Sequence, residues 1–473
     1  MNAPDKVIPI VAAPVDEVSL YEIRRKIHPR SVAGRFATWR WALVAITQLV
    51  FYGLPWLTWN GRQAVLFDLA ARKFYVFGLV LWPQDVIYLA VLLVIAAISL
   101  FLFTAVAGRV WCGYACPQTV YTSIFMWIER HIEGDRTARL KLDAAPASPA
   151  KAAKRLAKHA AWIAIALWTG FTFVGYFTAI RGLADRVPFA LGGWETFWVL
   201  FYGLATYGNA GWMREQVCKY MCPYARFQSV MFDKDTLIVA YDSGRGEPRG
   251  SRGRKVDPSA AGLGHSVDCE ICVQVCPTGI DIRDGLQYEC IGCAACIDGC
   301  DQVMDKMGYA RGLIRYASER SLGAGLDSCA VAARILRPRT LVYASILVVV
   351  SLALAGSIAL RNPLKVDVLR DRGALAREAS PGIVENVYRL QIMNTDETAR
   401  RYAIDATGLP GLAVVGMTGP VALDALETRT VALRVQLPAD AAAPGAHKIE
   451  FDVRSVDSPA VARSERSTFI LPR

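Results

Sequence analysis

Five stretches of this 473-residue chain carry no Asp, Glu, Lys or Arg over about the length a helix needs to cross the hydrocarbon core of a bilayer: residues 41–59, 86–108, 160–180, 196–213 and 340–360. A soluble protein seldom hides five such runs as buried core helices, so they read as five transmembrane helices. Composition agrees: 53% of residues are hydrophobic and 20% charged. Disorder is excluded.

Positive charge orients the loops. Residues 1–40 hold seven Lys/Arg, 60–84 three, 109–159 nine, 181–193 two and 214–339 seventeen. Five spans place every rich segment on the cytoplasmic side, with everything beyond residue 360 outside. A sixth uncharged run, 110–128, would export the basic stretch 130–158 if it spanned, so it is placed at the membrane surface or as a re-entrant segment. Residues 1–38 are polar, so no cleavable signal peptide is expected and the first helix acts as its own insertion signal. The net charge of +11 is then mostly topological, and nucleic acid is not an expected partner.

The helical half is duplicated. Cys112-Gly-Tyr114-Ala-Cys116-Pro117 recurs at an offset of 106 as Cys218-Lys-Tyr220-Met-Cys222-Pro223. Cysteines four apart share a helical face, and a proline next in line suits the first turn of a following helix. Brought together, Cys112, Cys116, Cys218 and Cys222 offer four thiolates, with Met213 and Met221 nearby. Soft sulfur of this kind selects Cu(I), but the same thiols fit a haem, another cluster or a redox disulfide. Stretches 143–150 and 244–262 read as flexible linkers. His28, His131, His159 and His447 read as isolated surface or interface residues, and Cys329 as a small buried hydrophobe.

The second repeat is the most specific signal. Cys269, Cys272 and Cys276-Pro277 recur twenty-four residues on as Cys293, Cys296 and Cys300, and Cys290 completes the spacing C-x2-C-x2-C-x3-C of a bacterial two-cluster ferredoxin. In such runs the fourth cysteine serves the other cluster. Cys290, Cys293 and Cys296 are therefore expected to hold one 4Fe–4S cluster with Cys276, and Cys269 and Cys272 the other with Cys300. Zinc, with four ligands in two pairs, fits this spacing poorly. Subtracting twenty-four from 290 lands on Ser266, where the motif calls for cysteine. Either its alkoxide ligates iron, or the position is open and the cluster labile or three-iron, or the chain carries a Cys→Ser change; His265 is a weaker substitute.

Beyond residue 360 the periodicity alternates, in 365–369, 387–392, 430–437 and 448–453. These are strands of an all-β domain, best matched by a small immunoglobulin-like sandwich that docks a partner. The expected fold is a polytopic α-helical membrane protein of about five transmembrane helices, with a two-cluster ferredoxin domain and a C-terminal immunoglobulin-like β-sandwich. Its parts are a cytoplasmic N-terminal segment (1–38), a four-helix membrane domain (39–235), a cytoplasmic linker and ferredoxin domain (236–339), a fifth helix (340–361) and a periplasmic β domain (362–473).

This order of helices, paired C-x-Tyr-x-C-Pro motifs, ferredoxin run with Gln287-Tyr-Glu-Cys-Ile-Gly-Cys-Ala-Ala-Cys296, last helix and β tail closely resembles the CcoG (FixG, RdxA) family over nearly the whole chain. The resemblance implies a bacterial inner-membrane protein for maturation of cbb3-type cytochrome c oxidase. It would reduce Cu(II) to Cu(I) at Cys112, Cys116, Cys218 and Cys222 with electrons from two 4Fe–4S clusters. Implied partners are that oxidase, its copper-delivery factors and an unidentified electron donor; a homodimer is compatible with it. Ser266 departs from the family pattern. Two rivals stay open: a quinol-linked membrane ferredoxin of the NapH or NosR type feeding a periplasmic reductase, and a non-enzymatic copper-binding assembly scaffold.

Overall fold

A computed structural model describes residues 26–188, 190–258, 260–324, 334–370 and 376–472. Cys329 and residues 1–25 lie outside these. The five uncharged runs become the helices Arg35–Gly53, Val86–Ala107, Pro149–Val174, Gly193–Thr206 and Pro338–Ala359. The first ends where Pro55 opens a 3-10 turn. The third starts earlier than its apolar run, because Ser148 accepts a hydrogen bond from the Lys151 N–H and Pro149 occupies the first turn. The fourth continues as a π-helical stretch, Tyr207–Met213.

Among the described residues, two helices are long and apolar enough to cross a membrane by length and composition: Pro83–Ala107, which includes a lead-in turn, with mean hydropathy 3.0, and Pro338–Ala359, with 2.3. They meet through the Tyr88 hydroxyl, 3.2 Å from Ser357 Oγ. The expectation of five is thus matched in full by two. The other three are shorter or more polar: Lys151, Lys154, Arg155 and Lys158 fill the early turns of one, Arg35 and Arg40 those of another, and the third is 14 residues long before its π segment.

Hydrogen bonds and ion pairs tie the helix ends to two different parts of the chain. At one end a three-stranded meander, Val65–Asp68, Lys73–Val76 and Leu79–Leu81, sits beside the chain after Val174 through Phe67 N–H donating to Tyr176 O (2.7 Å). The β domain docks there: Arg62 pairs with Glu397 at 2.8 Å, Lys73 Nζ donates to Leu426 O at 2.7 Å, and Lys365 pairs with Asp85. At the other end Leu237 N–H donates to Val106 O (3.1 Å) and Arg339 pairs with Asp233 at 3.0 Å. Asp298 of the ferredoxin domain accepts from Phe36 and Ala37 N–H (3.2 and 2.7 Å), capping the helix Arg35–Gly53 from outside its own sequence.

Run 110–128 becomes a one-turn helix, Val110–Tyr114, and an amphipathic helix, Pro117–Glu133, whose Phe125 stacks on Trp162 with ring centroids 5.2 Å apart. Neither is a candidate span. Both expected linkers carry specific contacts. Asp143 binds Lys26 (2.9 Å), His28 (3.0 Å) and Arg155 (2.6 Å), so His28 is buried and partnered, contrary to its reading as isolated. In 244–262, Arg245 Nε donates to His265 Nδ1 (2.9 Å), and Arg252 donates to Ser266 O (3.1 Å) and Gly264 O (2.7 Å). Sequence composition suggested slack there; guanidinium forks tie both segments down.

The β domain is a two-sheet sandwich. One sheet runs Ala413–Val415, Thr428–Pro438, Ile383–Asn394, Leu364–Arg370, with Arg377–Ser380 also on Ile383–Asn394; the other runs Val421–Leu423, Arg400–Thr407, Gly445–Ser455, Ala462–Leu471. Alternate residues face inward, so Tyr388, Leu390 and Ile392 meet Tyr402, Phe451 and Phe469 in a closed core. The four expected strands are present and slightly longer; strands 400–407 and 462–471 were not anticipated.

Candidate metal centres

Two loops of the ferredoxin domain have the same backbone, twenty-four residues apart. Asp268 (φ 52°) and Glu270 (φ 53°) match Gly292 (φ 67°) and Ala294 (φ 57°), and each loop leads into a helix, Ile271–Gln274 and Ala295–Met307. Left-handed Asp, Glu and Ala cost roughly 1–2 kcal/mol each, a strain that persists where surroundings impose it and clusters at functional sites.

The loops build two small cavities. One is lined by Cys272, Cys276, Cys290, Cys293 and Cys296 with Val239, Ile280, Ile282 and Ile291. The other is lined by Ser266, Cys269, Cys272 and Cys300 with Tyr241, Leu313 and Ile314. The structure therefore brings Cys276 to the second cysteine set and Cys300 to the first, crosswise as the spacing requires. Burial pushes the thiols of Cys290 and Cys300 up to about 12 and that of Cys272 to about 11. Thiolates in such walls need a buried positive charge, which iron provides, so the donor set fits the clusters. Ser266 is buried and in cysteine's place. His265 is engaged elsewhere, stacked on Tyr309 with centroids 5.2 Å apart, and does not line the cavity.

The membrane-edge cysteines occupy two equivalent corners. Cys116 (ψ 128°) and Cys222 (ψ 109°) are extended residues before Pro117 and Pro223, each of which opens a helix. The residue before proline is pushed out of helical conformation, so each pair straddles a break and does not lie along one continuous helical face. Cys112 sits in Val110–Tyr114 and Cys218 in the π-helical turn Val217–Met221. Burial pushes Cys112 up to about 11 and Cys218 to about 12, and the two sit beside one another, packed against one cluster of buried residues. Cys112 Sγ donates to Gln228 Oε1 at 3.3 Å. Among the described residues no three His, Cys, Asp or Glu side chains close around a single ion, and Met221 points outward, 59% exposed. All eleven described cysteines are free thiols.

The two kinds of site touch. A Cβ built on Gly113 would lie 2.8 Å from Cys293 Cα and 2.9 Å from Cys293 N, so only glycine lets these backbones approach. Cys112 and Cys218 pack against the cluster of Val275, Ile291, Cys293 and Ala295. Tyr316 OH donates to Gly292 O (2.6 Å) and Arg40 to Cys293 O (3.1 Å). The second motif has Lys219 where the first has Gly113, a difference within the repeat that marked this contact and that the sequence reading passed over.

Apolar helices joined to a crosswise two-cluster ferredoxin fold define a membrane-associated iron–sulfur protein of electron transfer. Family models described as "4Fe-4S dicluster domain", "4Fe-4S binding domain" and "IG-like fold at C-terminal of FixG" match residues 213–319, 89–133 and 354–472. The chain is 42% identical to the nitrogen fixation protein FixG of Rhizobium meliloti, over 83% of this chain and 81% of that protein. It is 41% identical to protein RdxA of Cereibacter sphaeroides, over 86% and 88%. A more distant likeness, 22% over 46% of this chain and 68% of the other, is to the ferredoxin-type protein NapH of Haemophilus influenzae. The chain belongs to the FixG/RdxA family.

Proposed function

We propose that the chain is a cupric reductase that delivers Cu(I) for assembly of a cbb3-type oxidase. Cys276, Cys290, Cys293 and Cys296 hold one 4Fe–4S cluster; Cys269, Cys272, Cys300 and Ser266 hold the other. When bound, the clusters supply one-electron transfer. Cys112, Cys116, Cys218 and Cys222 receive Cu(II) as substrate, and one electron per ion yields Cu(I), which soft sulfur favours. The observation that carries the reading is the backbone contact of Gly113 with Cys293, which sets the loop of Cys290, Cys293 and Cys296 directly against the cysteine corner. In this reading all five helices span, the N-terminus and ferredoxin domain are cytoplasmic, and the β domain is periplasmic, as the loop charges favour.

The test is to reduce the purified protein anaerobically, add Cu(II) with a Cu(I) chelator, and count Cu(I). No Cu(I), or an equal yield after all four membrane-edge cysteines become alanine, overturns the assignment. The likeness to NapH supports a second reading, oxidation of quinol for a periplasmic reductase. Quinol oxidation that persists without those four cysteines would favour it.

A further inference from the structure

Arg109 joins the two sites and has no role in the reading above. It is 5% exposed, and its hydrogen bonds go to main-chain carbonyls. Nη1 donates to the carbonyls of Tyr288 and Cys290, Nη2 to that of Ala225, and Nε is buried without a partner. Arg109 and Cys290 line one small cavity with Gly292 and Tyr316. A guanidinium this deep costs several kcal/mol unless negative charge answers it, and carbonyl dipoles answer it only in part. The groups at hand that can carry negative charge are sulfur: Nη1 bonds the Cys290 carbonyl and the side chain shares a cavity with Cys290.

We propose that Arg109 is the counter-ion of the cluster held by Cys276, Cys290, Cys293 and Cys296, a positioning residue whose charge sets the potential at which that cluster passes electrons toward Cys112. The inference rests on the two-cluster reading. Four thiolates outweigh the charge of the iron–sulfide core, and each added electron makes the whole more negative, so a fixed cation nearby favours the reduced form. The spare Nε–H is a donor suited to a sulfur acceptor, the kind of bond that raises cluster potentials.

The test is a redox titration followed by spin resonance on full-length protein, with iron and sulfide counted in every sample. Arg109→Gln is expected to keep its iron and shift one of the two cluster potentials to a more negative value, while Arg109→Lys, which keeps the charge but not the fork, stays near the wild type. A potential unchanged in Arg109→Gln with full iron overturns the proposal. Should Arg109→Gln lose iron, Arg109→Lys decides: full iron with a wild-type potential upholds the role of charge, and anything else makes Arg109 a structural clamp. A wild type without two cluster signals would instead remove the two-cluster reading itself.

Discussion

Gly113 lies against Cys293 so closely that a single added methyl group would stand 2.8 Å from its Cα. Real Cβ atoms do not approach backbone this closely, so the helix Val110–Tyr114 and the cluster loop are set at a separation only a missing side chain permits. Gly113→Ala is expected to force them apart at a cost of about 1–3 kcal/mol, the range for overpacking. Measured by stopped-flow oxidation of pre-reduced protein with Cu(II), electron delivery should slow while the iron content stays full. Unchanged kinetics would mean that this contact does not carry the electron.

Ser266 takes the place of a ligand in the cavity of Cys269, Cys272 and Cys300. Ser266→Ala is expected to lose iron from that site alone, giving a three-iron signal beside an intact cubane, and Ser266→Cys to give two cubane signals. If Ser266→Ala matches the wild type in iron count and spin-resonance spectrum, the hydroxyl is no ligand.

Asp298 caps the helix Arg35–Gly53 across a domain boundary. Asp298→Ala leaves two amide donors without their acceptor and should cost about 1 kcal/mol or somewhat more, as cap removals do. Thermal unfolding in detergent would show it, and limited proteolysis should find earlier cleavage between the N-terminal segment and the helix.

Iron removal should make stability depend on pH in a defined direction. The folded thiols of Cys290 and Cys300 sit at about 12 against a free value of 9.0. Groups raised on folding stabilise the folded state below the free value and cease to as pH climbs through the folded one. Iron-stripped protein should therefore weaken between about pH 9 and 12, and chemical denaturation at pH 8 and pH 10 would reveal it. Equal midpoints would argue that these thiols are more solvated than the fold indicates.

Glu129 is buried and accepts from Arg139 at 2.9 Å while pairing with Arg214 at 2.7 Å. Although burial opposes its charge, Arg214 and Arg139 hold its carboxyl below the usual range. Glu129→Gln strands two guanidinium groups and should cost about 3–5 kcal/mol. A mild effect on the unfolding midpoint would show that water reaches the network.

Much of this was legible in the sequence because metal spacing and alternation are local rules. The crosswise grouping of Cys276 and Cys300 followed from counting residues, and four strands of the sandwich from period-two patterning. What spacing could not show were long-range partners of charges. Lys26 and Arg40, counted as markers of membrane orientation, bind Asp143 and the Cys293 carbonyl. The meander 65–81 was too short, and too mixed in its residues, for its alternation to stand out. Helix continuity across each cysteine pair failed for a local reason that the prolines already announced.

A duplicated hairpin would ordinarily be expected to do one job twice. Here Gly113 and Lys219 hold corresponding places in the two copies, and at Gly113 the backbone meets the cluster loop where a Cβ would stand 2.8 Å from Cys293 Cα. The symmetry of the four cysteines is thus only chemical. As neighbours of the ferredoxin domain they form two unlike pairs, one meeting the Cys293 backbone at a residue with no side chain and the other carrying a lysine in that place.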